Sequence, residues 1–341
     1  MPNPKISIII PVKEVNDYIR EAIPRHLALD YPDFEILILP DRNSGEKFDS
    51  RVRIIPTYPQ TGPADKRDLG AREALGEILA FIDDDAYPRS DWLRNAVGYF
   101  EDADVAAVCG PGVTPPDDSV GQKASGWVQA SLLGGGNCTY RFLPQKKRLV
   151  DDYPSMNLIV RKKDFEEVGG FDSHFWPGED TKLCHDFVYG LEKKMIYDPQ
   201  VLVFHHRRGL WRPHFKQIGG YGLHRGHFAR ILPKTSRRLS FFIPSLFTLF
   251  LLASPAVVFF LSNNQQLTIN NISLTWLRWI LLAPSLLFTI YFLLLVFTAV
   301  WVYSKERNLK VALLTIPGIF ATHIWYGLRF IQGFFSRTLR R

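Results

Sequence analysis

Three consecutive carboxylates, Asp83-Asp84-Asp85, directly follow the apolar run Ile78-Leu79-Ala80-Phe81-Ile82. The apolar run reads as a strand buried on both faces of a mostly parallel sheet. Aspartate is disfavoured inside strands and favoured where a strand yields to a loop. The acids therefore belong at the strand's carboxyl end, the edge at which open α/β sheets bind ligands. Residues two apart in an extended segment point the same way, which lets Asp83 and Asp85 share one target while Asp84 faces elsewhere. Two hard oxygen ligands on one side suit Mg2+ or Mn2+, above all when substrate phosphates complete the shell. A solvated acidic turn would explain the triplet, taken alone, equally well.

A second acidic pair, Glu179-Asp180, follows Gly178 at the start of a segment that reads as a helix to Gly190. A helix N-terminus favours ionised carboxylates, and a general base must be ionised and within hydrogen-bond reach of its proton. Glu179 or Asp180 fits that role if the helix faces the pocket; a helix cap is the competing reading. His205-His206-Arg207-Arg208 leaves the last strand. One imidazole there would be a third ligand beside the carboxylates, and only one of the two histidines can share the site, because neighbours on a strand diverge. Arg207 and Arg208 have the bidentate geometry of a pyrophosphate clamp; a basic surface turn is the alternative.

The elements that would position these groups alternate. Lys5 to Val12, Phe34 to Leu39, Arg51 to Ile55, Asp104 to Cys109, Asn157 to Arg161 and Met195 to Phe204, the last broken by Pro199, read as strands. Tyr18 to Leu29, Pro63 to Gly76 and Lys163 to Val168 read as helices. This order predicts an α/β domain with a mainly parallel sheet. Residues 113–152, rich in Gly and Pro with Gly134-Gly135-Gly136 at their centre, read as a loop with one helix around Ser125 to Leu133.

Charge divides the chain. Residues 1–198 hold 24 Lys/Arg against 33 Asp/Glu, whereas 199–341 hold 17 Lys/Arg against the single acid Glu306. A basic half meets an anion: nucleic acid, a phosphorylated substrate or an acidic membrane face. Phe241 to Leu261 and Trp279 to Tyr303 are 21 and 25 residues without a charge, long enough to cross a hydrocarbon core of about 30 Å. The basic run before them leads straight into bilayer and suits anionic headgroups, which excludes nucleic acid as the partner. A third apolar stretch, Val311 to Phe335, contains Pro317-Gly318 and reads either as a full span or as a re-entrant segment. Cationic flanks at Lys234, Arg237, Arg238, Lys305, Arg307 and Lys310 place both ends of the first two spans in the cytoplasm and the 262–278 loop outside. The run Ile6 to Val12 is too short for a signal core. The three cysteines lack metal spacing and fit a reducing compartment. The expected division is 1–230 for the α/β domain, 231–240 for a basic linker and 241–341 for the membrane region.

Taken in order, Ile6-Ser7-Ile8-Ile9-Ile10-Pro11-Val12, Asp83-Asp84-Asp85, Gly169-Gly170-Phe171-Asp172 with Gly178-Glu179-Asp180, and the terminal-strand histidine resemble the family 2 glycosyltransferases across about residues 5–230. The resemblance implies a GT-A nucleotide-diphospho-sugar-binding fold and an inverting transfer. It places Pro11, Val12 and Asp41 at the nucleotide base, and Lys66, Arg67 and Asp68 close to the nucleotide. It puts Asp83 and Asp85 on the divalent metal and diphosphate with His205 as a further ligand, and assigns Asp180 as the base with Glu179 supporting it. Asp84, Arg207 and Arg208 join the donor-binding set. Processive members carry Gln-x-x-Arg-Trp after the base, but Gln217 is followed by Ile218-Gly219-Gly220-Tyr221. The expectation is therefore single-sugar transfer from a nucleotide-diphospho-sugar to a lipid-linked or glycan acceptor, dependent on Mn2+ or Mg2+, at the cytoplasmic face of a membrane. A small processive synthase and a non-catalytic nucleotide-sugar-binding membrane protein are the alternatives.

Overall fold

The structure, a computed structural model, describes residues 4–58, 61–175, 178–263 and 274–339. The chain folds as two compact units. The first comprises residues 1–118 and 138–207, the second 119–137 and 208–341.

In the first unit, strands β1 (Ile6–Pro11), β2 (Phe34–Leu39), β3 (Val52–Ile54) and β4 (Ile78–Ile82) form a parallel block in the order β3-β2-β1-β4. Every residue of β1, β2 and β4 is buried, as their uninterrupted apolar runs require of strands covered on both faces. The pairings Pro11 with Leu39 and Ile9 with Phe81 align the carboxyl ends of β1, β2 and β4 on one edge. Helices α1 (Asp17–Leu27) and α2 (Pro63–Glu73) belong to the crossovers of this block. Pro24 sits inside α1 without ending it, and Asn16 caps its start by accepting from Ile19 N–H at 3.0 Å.

After the short strand β5 (Ala86–Pro88) and α3 (Trp92–Val97), the sheet continues through β6 (Val105–Cys109). Next come the two-residue strand β7 (Gly112–Val113), β8 (Arg148–Val150), β9 (Asn157–Arg161), α6 (Lys162–Glu167), α7 (Glu179–His185), β10 (Lys194–Tyr197) and β11 (Val203–His205). The numbers α4 and α5 are kept for two helices of the second unit that precede β8. The complete sheet reads β3-β2-β1-β4-β9-β6-β10-β8, with β9 antiparallel to β4 and β6, and β8 antiparallel to β10. A small second sheet, β5-β11-β7, brings the end of β11 beside Ala86. The break expected at Pro199 within Met195 to Phe204 separates two strands that lie in different sheets, because the turn through Asp198-Pro199 redirects the chain. Asn157 holds this junction together: its buried amide donates to Gly110 O at 2.6 Å and Val201 O at 2.7 Å and accepts from Trp92 Nε1 at 2.9 Å.

The second unit is helical. It contains α4 (Val120–Ala130), α5 (Leu132–Gly135), α8 (Arg212–Ile231), α9 (Pro233–Ser236), α10 (Leu239–Asn263), α11 (Leu274–Glu306) and α12 (Leu309–Phe335). The helix expected around Ser125 to Leu133 is present but starts earlier, and the loop expected around it is correspondingly shorter. Ser119 and Gln122 form a reciprocal capping box that starts α4, and Ala124 and Val128, four residues apart, are buried with Leu210, Val311, Ala312 and Ile319. The glycine triplet ends α5, with Gly134 N–H bonded to Ser131 Oγ at 3.2 Å.

Helices α8 and α12 approach through glycines. A Cβ on Gly226 would lie 2.1 Å from Phe330 O, and one on Gly333 would lie 1.8 Å from Leu223 O. This close packing groups α8 with the helices of the second unit, which resumes at Arg208. Pro284–Glu306 within α11 and all of α12 are long and apolar enough to cross a membrane, and Leu239–Pro255 is a shorter apolar helix. Helix α12 runs unbroken through Pro317-Gly318, so the chain does not turn back at that dipeptide. Residues 264–273, most of the loop expected outside the membrane, lie outside the described residues.

Candidate active site

At the end of β4, Asp83 and Asp85 turn to one side. Asp85 is buried at 6% exposure. It meets His205 of β11 at 3.0 Å between Oδ1 and Nε2. One ligand atom from each of Asp83, Asp85 and His205 lies within 4.8 Å of the others. Asp84 turns the other way and accepts from Asn16 Nδ2 at 2.7 Å, which ties it to the cap of α1. The small second sheet makes this meeting possible, since β11 pairs His205 with Ala86, one residue past the triplet.

Helix α2 sends three successive side chains toward the strand-end loops and the start of α7. Lys66, 3% exposed, donates to Val12 O and to the Asp41 carboxylate. Burial alone would raise the Asp41 pKa, but the ammonium outweighs it and holds the carboxyl below its ordinary range. Pro11 ends β1 beside Leu39, and Val12 N–H donates to Leu39 O at 3.2 Å. The base-proximal residues expected from the sequence therefore share one strand-end platform. Arg67, also buried, donates to Asp83 Oδ1 at 2.8 Å and to Glu179 Oε1 at 3.1 Å. Asp68 accepts from Phe171 N–H at 2.9 Å. That contact requires Gly170, which lies at φ +77° and where a Cβ would meet Asp68 Oδ1 at 2.7 Å. Burial is the main reason the Asp68 carboxyl is raised to about 6.

Glu179 and Asp180 open α7. Glu179 Oε2 accepts from Gly178 N–H at 2.8 Å, and Asp180 Oδ1 accepts from Thr181 N–H at 2.7 Å. The helix dipole alone would favour an ionised Asp180, yet its pKa is raised to about 7. Burial is the largest cause, followed by the charges of Glu179 and Asp152. Asp152, absent from the sequence reading, is buried; it accepts from Thr181 Oγ1 at 2.8 Å and from Arg141 Nη2 at 2.9 Å. No local pattern announces it.

The basic run after β11 divides. Arg207 is buried, and instead of an open fork for a diphosphate it donates to Thr114 Oγ1 at 3.2 Å, to Gly112 O and to His205 Nδ1 at 3.1 Å. A guanidinium only donates, so His205 Nδ1 accepts and the ring proton sits on Nε2, facing Asp85. His206 takes a separate place: its Nδ1 meets Asp118 Oδ1 at 2.5 Å, and Asp118 also accepts from Arg207 N–H. Arg208 is exposed and is the first residue of the second unit on this strand of chain.

Two carboxylates and an imidazole at this spacing fit a divalent cation such as Mn2+ or Mg2+; to join through Nε2, His205 would carry its ring proton on Nδ1 instead.

Residues 7–169 match the model of glycosyl transferase family 2. With the sheet order and strand-end site described above, the chain carries a family 2 glycosyltransferase domain of GT-A-like α/β fold, followed by long apolar helices. Among curated proteins it is 30% identical over 171 residues to the pre-mycofactocin glycosyltransferase of Mycobacterium tuberculosis, covering 50% of this chain and 36% of that protein. It is 25% identical to the glucosyl-dolichyl phosphate glucuronosyltransferase of Haloferax volcanii over 219 residues, 59% of this chain and 69% of the relative. The chain thus spans about a third of the length of the first of these. Among solved structures, the mannosyltransferase PcManGT of Pyrobaculum calidifontis, in complex with GDP-Man and Mn2+, superposes with TM-score 0.50 at 16% identity over 95% of this chain and 88% of that one, a likeness of fold.

Proposed function

We propose that this chain is a metal-dependent inverting glycosyltransferase that moves one sugar from a nucleotide-diphospho-sugar to a lipid-linked acceptor at the cytoplasmic face of a membrane, in cell-surface glycan synthesis. The observation that carries this reading is the bridge from the acid cluster to the base-bearing helix, Asp83–Arg67–Glu179, with Asp180 next in sequence.

Val12, Asp41 and Lys66 would frame the nucleotide at the strand-end platform. Asp180, raised to about 7, accepts the proton of an acceptor hydroxyl as that oxygen attacks the anomeric carbon. The bond from that carbon to the diphosphate oxygen breaks on the opposite face, which inverts the configuration. A pKa near the working pH gives a base that is substantially ionised and still basic enough to take the proton. A divalent cation held by Asp83 and Asp85, with His205, would neutralise charge on the departing diphosphate. Gly178 N–H and Thr181 N–H fix the two carboxylates of α7, so little reorganisation accompanies proton transfer.

The membrane part of the proposal rests on the helical unit. Two helices of spanning length, a third apolar helix and a basic flank before α10 support anchorage beside anionic headgroups. A lipid-linked acceptor gives a reason to hold the site there. The test is a screen of nucleotide-sugars with the purified full chain and Mn2+ or Mg2+, reading release of nucleoside diphosphate. Release from one donor class, suppressed by chelator, is the expected result; no release from any donor would count against it.

A further inference from the structure

The guanidinium of Arg67 lies between two acidic motifs that serve different steps of the proposed reaction. Its side chain is 5% exposed, its two terminal nitrogens reach Asp83 and Glu179, and its Nε has no hydrogen-bond partner among the described residues. The guanidinium carbon lies 5.4 Å from the centre of the Phe171 ring, and neighbouring Asp68 holds Phe171 N–H. Helix α2 is thereby fixed to the loop before α7, and Arg67 cannot leave one carboxylate without shifting its charge toward the other.

We propose that Arg67 is a positioning residue that couples cation occupancy at Asp83 to the placement of Glu179 and the base-bearing start of α7. The inference rests on the metal-site reading given above. One positive charge is shared between two carboxylates. A divalent cation arriving at Asp83 competes with the guanidinium for the same oxygens and repels it, and this strengthens the Arg67–Glu179 contact. Loading of the donor side thus tightens the helix start that carries Asp180. By reciprocity, whatever weakens Glu179 returns the guanidinium to Asp83 and weakens the cation.

The prediction runs against a purely structural role. Removing a buried arginine that only holds the fold together would loosen the cation site. Removing one that competes with the cation tightens it. Mn2+ alone is the probe, titrated into the purified full chain and read by the paramagnetic resonance signal of the free ion. Arg67→Met should bind Mn2+ about three- to ten-fold more tightly, because a like charge a few ångströms away has been removed. Glu179→Gln should bind it about two- to five-fold more weakly, and that loss should vanish in the Arg67→Met background, since the coupling passes through the guanidinium. Should Arg67→Met fail to fold, Arg67→Gln removes the charge while keeping a hydrogen-bonding side chain, and Glu179→Gln should again have no effect on Mn2+ in that background. Weaker Mn2+ binding by Arg67→Met, or an equal Glu179→Gln effect in both backgrounds, overturns the coupling while leaving the metal site standing. Absence of saturable Mn2+ binding in the wild type overturns the metal site itself, and the coupling with it.

Discussion

The sheet unit and the helical unit use buried polar groups to opposite ends. In the first, carboxylates from the end of β4 and the start of α7 share one buried arginine, and the pKa of Asp180 beside them is raised. In the second, buried histidines bridge hydroxyls and a backbone carbonyl. His214 bridges Ser125 Oγ at 2.8 Å and Thr322 Oγ1 at 2.9 Å, and His323 bridges Tyr291 and Leu133 O at 2.9 Å each. The one acid of the back half, Glu306, is taken up by Lys123 at 3.0 Å and Trp127 Nε1 at 2.9 Å. Concentrated like charge is costly to bury unless a ligand or partner relieves it, so the first unit reads as a site and the second as packing. Mutations in the two units should therefore separate: chemistry lost without stability in one, stability lost without chemistry in the other.

The largest effect is expected at Asp85. Asp85→Ala should lower turnover by roughly 10³-fold or more, since the charge on the leaving diphosphate loses its main counter-charge, whereas Asp84→Ala should cost much less because Asp84 serves the α1 cap. Steady-state rates against Mn2+ concentration check both, and full activity of Asp85→Ala would dissolve the contrast between the units. Next comes pH. With Asp180 near 7 and ionisation required, kcat/KM should rise through about 7 and fall about tenfold per unit below it. Asp152→Asn removes a like charge and should move that limb to lower pH, in a profile measured on the same donor.

In the helical unit the readout is thermal stability. Gly226→Ala drives a methyl against Phe330 O and should cost about 1–3 kcal/mol by overpacking, with the rate per folded molecule unchanged. The smallest effect is Glu306→Gln. It keeps a hydrogen-bond acceptor for Trp127 but loses the Lys123 ion pair, at a cost of about 1 kcal/mol or less, again without a change in the pH profile.

Legibility also differs between the units. Strands β1, β2 and β4 were readable because both faces are buried and the apolar runs are unbroken; the acids at their ends followed from the poor fit of aspartate inside a strand. The Arg67 bridge was not readable, since its partners lie 16 and 112 residues away in sequence. Asn157 and Asp152 gave no local sign for the same reason: what matters is which distant backbone they meet. Helix α4 was legible around Ser125 to Leu133 but its start was not, although Ser119-x-x-Gln122 is a start signal. The glycines of α8, poor helix formers by themselves, are what lets α12 approach.

The central claim is that Asp180 supplies the base while the strand-end residues bind the donor, and Asp180→Asn tests it most directly. Donor affinity measured by calorimetry with Mn2+ present and single-turnover transfer should be recorded on the same preparation. The account predicts affinity within about twofold of wild type, with a rate lower by about 10²–10⁴-fold. Equal losses of affinity and rate would contradict it and leave Asp180 as a cap of its helix.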